Sequence, residues 1–335
     1  MYAKSRNNLI YEFAIAVVFS LATLWCIFPS EGFFFKWWEE HTNIIIFCFL
    51  FCGLIFFFFN WKRLMMVSFA ACATLCLLLN DRIEAPLKNA EQTSDSLVKI
   101  AQFSYANPID NQPIDSELVI MLQSQADVIS VQEVPLDSVN SIQNFFTCCG
   151  YQSVHCLKDS SQDMAMVLFS RFPFKILREA HLPNTPGIAG KMEIPDLEVG
   201  TREIYFVNPY FYPASDEATY NEIKENIRLF AQGLNGIQVP LLVFGDYHVV
   251  SWSKDLQQFK QITGLNDSRR GIMPTSPHGY FSLFDYPFDH IFYSNHFKCI
   301  NFETISSAST THLGIVGTYQ FDNQQRSSNV QQTSQ

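Results

Sequence analysis

Three apolar stretches of the chain deliver acids to their ends. Asp127-Val128-Ile129-Ser130-Val131-Gln132-Glu133 closes one run with a carboxylate, and Pro240-Leu241-Leu242-Val243-Phe244-Gly245-Asp246 closes another. Phe288-Asp289-His290-Ile291-Phe292 opens a third with Asp beside His. Carboxylates and imidazoles at strand ends are the groups of general acid–base chemistry. Gly245, just ahead of Asp246, is expected to let the backbone approach a ligand. Taken singly, each segment also reads as a cap, a turn Asp or a solvated strand end. The cysteines add no metal site, because Cys148-Cys149 followed by Cys156 lacks metal-ligand spacing with a His.

These acids need strands to carry them, and short apolar runs recur at Val98–Phe103, Asp127–Val131, Met164–Phe169, Glu203–Val207, Leu241–Phe244, His290–Tyr293 and Leu313–Tyr319. Amphipathic helices are expected between them. Ile114, Leu118, Met121 and Leu122 form one apolar stripe; Tyr220, Ile223, Ile227, Phe230 and Leu234 form another, opened by Ser215 or Asp216. A third follows Ser253 with Leu256, Phe259 and Ile262. Buried strands alternating with helices predict one α/β domain over residues 98–321, either a doubly wound sheet or two sheets covered by helices. A polar linker at 81–97 precedes it, and a Gln/Ser/Asn-rich tail at 322–335 is expected to be disordered.

The first 80 residues differ in kind. Phe13 to Ser30, Thr42 to Trp61 and Leu64 to Asn80 carry no charge and approach the length of about 20 apolar residues that a spanning helix needs. They predict a three-helix transmembrane anchor over residues 1–80, apolar on every face. Lys4 and Arg6 before the first segment, and Lys62 and Arg63 between the second and third, point to cytoplasmic ends. The loop from Glu31 to Glu40 and everything after Asn80 then lie outside the cytoplasm, on the periplasmic side of an inner membrane. Cys148, Cys149, Cys156 and Cys299 would face an oxidising compartment, where one or two bridges are open to them.

In order along the chain, these segments resemble the endonuclease/exonuclease/phosphatase superfamily, the fold of DNase I-like nucleases, sphingomyelinases and inositol-polyphosphate phosphatases. The resemblance runs from Lys99 to Phe321. It rests on Asp127 to Val134 for the family's DVI-x-x-QEV, Ser170-Arg171-Phe172-Pro173 for SR-x-P, and Asn208-Pro209 through Pro213 for H-P…P. Gly245-Asp246-Tyr247-His248 with Trp252-Ser253 stands for GD-F-N, Asp289-His290-Ile291-Phe292 for DHIF, and Thr310-Thr311-His312 for the terminal SDH. Together with the three N-terminal helices it is similar to a membrane-anchored bacterial subgroup. The resemblance implies a four-layer α/β/β/α sandwich behind three transmembrane helices.

It also implies a metal-dependent phosphoesterase, either a phosphodiesterase or a phosphatase. Glu133 matches the ligand for Mg2+ or Mn2+, Asp246 the residue that positions or deprotonates the attacking water, and Asp289 with His312 the catalytic dyad. Four positions depart from the family. The Asn ending the first strand is Ala106, with Asn107 next to it; the H-P His is Asn208; the GD-x-N Asn is His248; and the Asp before the last His is Thr311. Losing that Asp removes charge from the cation site and lowers the expected affinity unless another ligand substitutes. His248 and Asn208 are expected to replace the usual donor pair from exchanged strands. A catalytically inactive relative that binds a phosphorylated ligand or a protein partner is the alternative.

Charge narrows the substrate. Five basic residues face four acids up to Asn80, and 17 face 28 after it, giving net charges of +1 and −11. A domain at −11 lacks the basic surface that bulk duplex DNA requires. The expected partners are the lipid bilayer and a phosphate ester, a lipid headgroup or a small phosphodiester. Arg171 reads as a structural ion-pair partner, and Arg269-Arg270 as a solvated loop.

Overall fold

A computed structural model of the chain describes residues 2–29, 32–83, 97–105, 114–160, 162–182, 185–196, 200–270, 287–305 and 314–322. Four helices come first: α1 (Tyr2–Ile27), α2 (Phe33–Glu40), α3 (Thr42–Phe58) and α4 (Lys62–Ile83). Then follow β1 (Leu97–Ser104), α5 (Ile114–Gln123), β2 (Val128–Pro135), α6 (Val139–Cys148), β3 (Ser153–Asp159), β4 (Met164–Ser170), β5 (Phe174–Leu182) and β6 (Thr185–Asp196). The second half carries β7 (Gly200–Pro209), α7 (Glu217–Leu234), β8 (Leu241–Asp246), α8 (Lys254–Thr263), β9 (Asn266–Asp267), β10 (Asp289–Tyr293), β11 (Phe297–Ile305) and β12 (Gly314–Phe321).

The strands form two six-stranded sheets, ordered β11, β12, β1, β2, β4, β3 and β5, β6, β7, β8, β10, β9. Strand periodicity decides which side chains meet where. Ile100, Leu242 and Phe244 point into the core between the sheets, while Ala101, Leu241 and Val243, one residue away, point outward. The outward face of the first sheet is covered by α5 and α6, and that of the second by α7 and α8. Asp216 caps α7 through a reciprocal capping box with Thr219, and Ser253 caps α8 by accepting from Leu256 N. All the cysteines are free.

The N-terminal region corrects two expectations. First, among the described residues two helices, α1 and α4, are long and apolar enough to cross a membrane on their own, where three were expected. Helix α3 has only 17 residues and reaches a third span only if counted with α2, from which it is bent by 60°. Second, residues 33–40 are not a loop. They form α2, which is docked on the two-sheet domain. Trp252 Nε1 donates to Glu39 O at 2.6 Å, Lys254 N donates to Glu39 Oε1 at 2.7 Å, and Glu217 Oε2 accepts from Phe33 N at 2.7 Å at the positive end of the helix. Helix α4 runs on through Asp81–Ile83, into the stretch expected as linker; Arg82 donates to Trp252 O at 2.9 Å, and its own carbonyl accepts from Lys260 Nζ at 3.0 Å. Val250 and Trp252 therefore share one apolar cluster with Cys26, Ile45, Phe49, Leu75 and Leu79.

Candidate functional site

Glu133, Asp246 and His248 come together where β2 and β8 end. Strand β2 loses register with β4 between Val131 and Val134, and Glu133 sits in that irregularity at φ 59°. His248 is also left-handed, at φ 49°. Such backbone costs a non-glycine residue about 1 kcal/mol or more and clusters at functional sites. Here it turns a carboxylate and an imidazole toward each other. His248 Nε2 lies 3.3 Å from Glu133 Oε1, and Nδ1 lies 3.6 Å from Asp246 Oδ1. One donor atom from each of the three falls within 4.8 Å of the others.

Gly245 is required, though not by a ligand. A Cβ there would lie 2.0 Å from the carbonyl oxygen of Pro209, so the glycine lets β8 press against the end of β7. That approach pairs Tyr210 with Asp246 in a parallel bridge. The Tyr210 hydroxyl then donates to Glu133 Oε1 at 2.7 Å and lies 3.4 Å from His248 Nε2. Burial and the Glu133 carboxylate push the Tyr210 phenol far above its ordinary range, so it stays a donor.

Behind this cluster lies a buried polar layer that joins the sheets. Asp246 N donates to Gln132 Oε1 at 2.8 Å, Gln102 Nε2 donates to the same oxygen at 3.0 Å, and Gln132 Nε2 donates to Pro209 O at 2.9 Å. The Ser104 hydroxyl lies 3.1 Å from both Asp246 Oδ2 and Asp289 Oδ1, one proton between two carboxylates. Arg269 is fully buried, donates to Asp289 O, and lies over the Phe302 ring at 5.7 Å. Burial pulls its guanidinium down to about 10 against the opposing pull of Asp267, Asp289 and Asp246. The solvated-loop expectation for Arg269 is thereby corrected: its charge backs the acids of the site.

His248 is held above the ordinary imidazole value. Burial works against its charge, but Asp246, Glu133 and Asp289 together outweigh it. His290 goes the other way: burial and the nearby Arg269 push it well below, and its Nε2 meets Val249 O at 3.0 Å. It is a neutral strut for the loop that carries His248.

Of the residues singled out in the sequence, Glu133, Asp246 and His248 converge, and Asp289 joins them through Ser104. Asn208 stands apart. Its amide donates to Phe244 O and, at 3.4 Å, to Gln102 Oε1, while its oxygen accepts from Ser130 at 3.1 Å, so its bonds are spent between the sheets. The neighbour His248 has from that strand is Tyr210, two residues on and on the same face. His312, Thr311 and Ala106 lie outside the described residues. Arg171 is far from the cluster, 5.1 Å over the Tyr151 ring, with its backbone N bonded to Asp127 O.

Solved structures share this architecture at low identity. An endonuclease/exonuclease/phosphatase from Beutenbergia cavernae DSM 12333 superposes with a TM-score of 0.51 at 13% identity, covering 67% of this chain and 72% of that one. One from Bacteroides vulgatus gives 0.51 at 14% identity over 68% and 100%. TDP2 from D. rerio, complexed with single strand DNA product, gives 0.51 at 12% over 67% and 99%. At these identities the likeness concerns the fold. No curated protein matches the chain. The family model for the Endonuclease/Exonuclease/phosphatase family matches residues 110–310, more than half of the sequence. Because that match spans both sheets and takes in Glu133, Asp246 and Asp289, the chain belongs to the endonuclease/exonuclease/phosphatase family.

Proposed function

We propose that the chain is a membrane-anchored, divalent-metal-dependent phosphoesterase, a phosphodiesterase or phosphatase. The observation that carries this reading is the convergence of Glu133, Asp246 and His248 within 4.8 Å. Two carboxylates and one imidazole fit a divalent cation, and the imidazole favours Mn2+ over Mg2+. In this reading the neutral His248 imidazole supplies a ligand atom, but no negative charge, in place of the Asp absent at position 311. A bound cation supplies polarisation of a phosphate oxygen and neutralises charge. The residues do the rest. Glu133, Asp246 and His248 hold the cation, the Tyr210 hydroxyl orients Glu133, and Ser104 fixes the carboxylates of Asp246 and Asp289. Asp289 and His312 are the proposed acid–base pair.

The anchor is read as α1, α4 and the bent pair α2 and α3 counted together, with α2 at the outer end of that pair. Glu12 and Arg63 pair at 3.9 Å, joining the first half of α1, whose sequence carries Lys4 and Arg6, to the start of α4, which opens on Lys62, and this favours a cytoplasmic location for that end. The two-sheet domain is then extracytoplasmic. The inactive alternative is favoured by one observation: the Tyr210 hydroxyl already occupies Glu133 Oε1.

The test uses the full chain in detergent, with bis-p-nitrophenyl phosphate and p-nitrophenyl phosphate as substrates, in Mg2+, Mn2+ or chelator. Metal-dependent turnover is expected, falling about a hundredfold in Glu133→Gln, since a Lewis acid is worth several kcal/mol. Absent turnover together with absent cation binding by calorimetry would refute the enzyme and favour the inactive relative.

A further inference from the structure

Helix α2 is amphipathic in the wrong sense for a helix in water. Lys36 and Glu39 are buried, whereas Phe34 and Trp37 are 62% and 50% exposed. In water the arrangement costs twice, through desolvated charges and wetted rings. The second cost vanishes if the outer face rests in the interfacial layer of a bilayer, where aromatic rings concentrate. The inner face leads straight to the site. Glu39 accepts from Trp252 and Lys254, a few residues beyond His248 in the same loop. Glu40 lies within electrostatic reach of His248, and Phe288, edge-on to His248 at 5.6 Å, packs on the same cluster of helix side chains as Trp252. Helix α2, about 10 Å across with its side chains, lies between the outward aromatics and the loop that follows His248.

Resting on the phosphoesterase reading above, we infer that the substrate is a phosphate ester carried by a lipid of the bilayer that anchors the chain, taken from the leaflet on which α2 lies. The site sits at headgroup height, against the anchor rather than at the far pole of the domain. Hydrolysis balances with water alone: a water oxygen bonds to phosphorus, one ester P–O bond breaks, and the leaving oxygen takes the proton the water gives up. One product stays in the bilayer and the other leaves with the phosphate or the free headgroup. The −11 charge after Asn80 fits this source, because it repels polyanions and leaves a zwitterionic headgroup untouched.

The same ester chemistry exists in soluble diesters, and the arms of the test separate the two. Full-length protein is reconstituted in vesicles of phosphatidylcholine, phosphatidylethanolamine and phosphatidylglycerol with Mn2+. Three substrates are compared: these lipids in the protein's own bilayer, the same lipids in separate protein-free vesicles, and glycerophosphodiesters or bis-p-nitrophenyl phosphate in solution. Lipid turnover is expected in the protein's own bilayer and at least about tenfold slower in separate vesicles, as a site held at one interface requires. Equal turnover in separate vesicles, or glycerophosphodiesters preferred to lipids, overturns the inference. Cleavage of bis-p-nitrophenyl phosphate with no lipid cleaved overturns it too and leaves the phosphoesterase standing; no turnover of any ester removes both. In Phe34→Ser/Trp37→Ser, the ratio of lipid to bis-p-nitrophenyl phosphate turnover is expected to fall about fivefold as α2 loses its interfacial face. An unchanged ratio counts against the role given to α2.

Discussion

Replacing Gly245 by Ala isolates the close approach on which the site depends. The new Cβ would sit 2.0 Å from Pro209 O and 3.1 Å from Pro209 C, both backbone atoms that no rotamer change can move. Carbon and oxygen reach ordinary contact at about 3.5 Å, so β7 and β8 must part by about 1.5 Å. The strand ends that part carry Tyr210 and Asp246, and with them the bonds to Glu133 and His248. Displacement of a catalytic group by about 1 Å costs on the order of a hundredfold in rate, while overpacking costs about 1–3 kcal/mol of stability. The assay is bis-p-nitrophenyl phosphate turnover in Mn2+, with thermal unfolding measured alongside. Gly233→Ala in α7 is the control, since a Cβ there meets nothing within 4 Å and a helical Gly→Ala change stabilises by about 0.5–1 kcal/mol. If Gly245→Ala kept its rate within threefold of Gly233→Ala, the argument that this approach sets the site would fail.

Three further outcomes are expected. The cation competes with a proton at His248, whose folded value lies above the ordinary 6.5; without metal, its stabilisation is complete below 6.5 and lost as pH rises through the raised value. Mn2+ affinity by calorimetry should therefore increase with pH across that window, and a pH-independent affinity, or one unaltered in His248→Asn, contradicts the ligand role. Asn208→Ala strands Ser130 and the Phe244 carbonyl between the sheets, an expected loss of about 2–3 kcal/mol seen as a lower unfolding temperature. Trp252→Phe removes the donor to Glu39 O, worth about 1 kcal/mol, and hydrogen exchange should quicken in α2 while β8 is unchanged.

Strands β1, β2, β4, β7, β8, β10 and β12 all lie where the apolar runs do, and in β2, β8 and β10 an acid at one end of the run also made the chemistry legible. Strands β3, β5, β6, β9 and β11 were not picked out; in β6 Met192 and Ile194 do alternate with Lys191 and Glu193, but the strand opens on Thr185-Pro186-Gly187, which reads as a turn. The site was half legible. Glu133 and Asp246 stand in recognisable segments, whereas Tyr210 was hidden by Asn208, which fills the familiar position two residues earlier on the same strand face. Period two was the signal available: the residue nearer the strand end is the one that reaches the site. Arg269 carried no burial signal beside Arg270. Helix α2 escaped notice because its charges face protein and its aromatics face outward, the reverse of the pattern by which helices are found.

The left-handed backbone at Glu133 and His248 bears on how this protein would respond to selection. Glycine at either position would relieve local strain, so the easiest stabilising substitutions coincide with those that erase the cluster. A screen for thermal tolerance alone would be drawn to positions 133 and 248 and would return a sturdier, silent protein. Retention of Glu and His there under such pressure would be a signature that function is what maintains them.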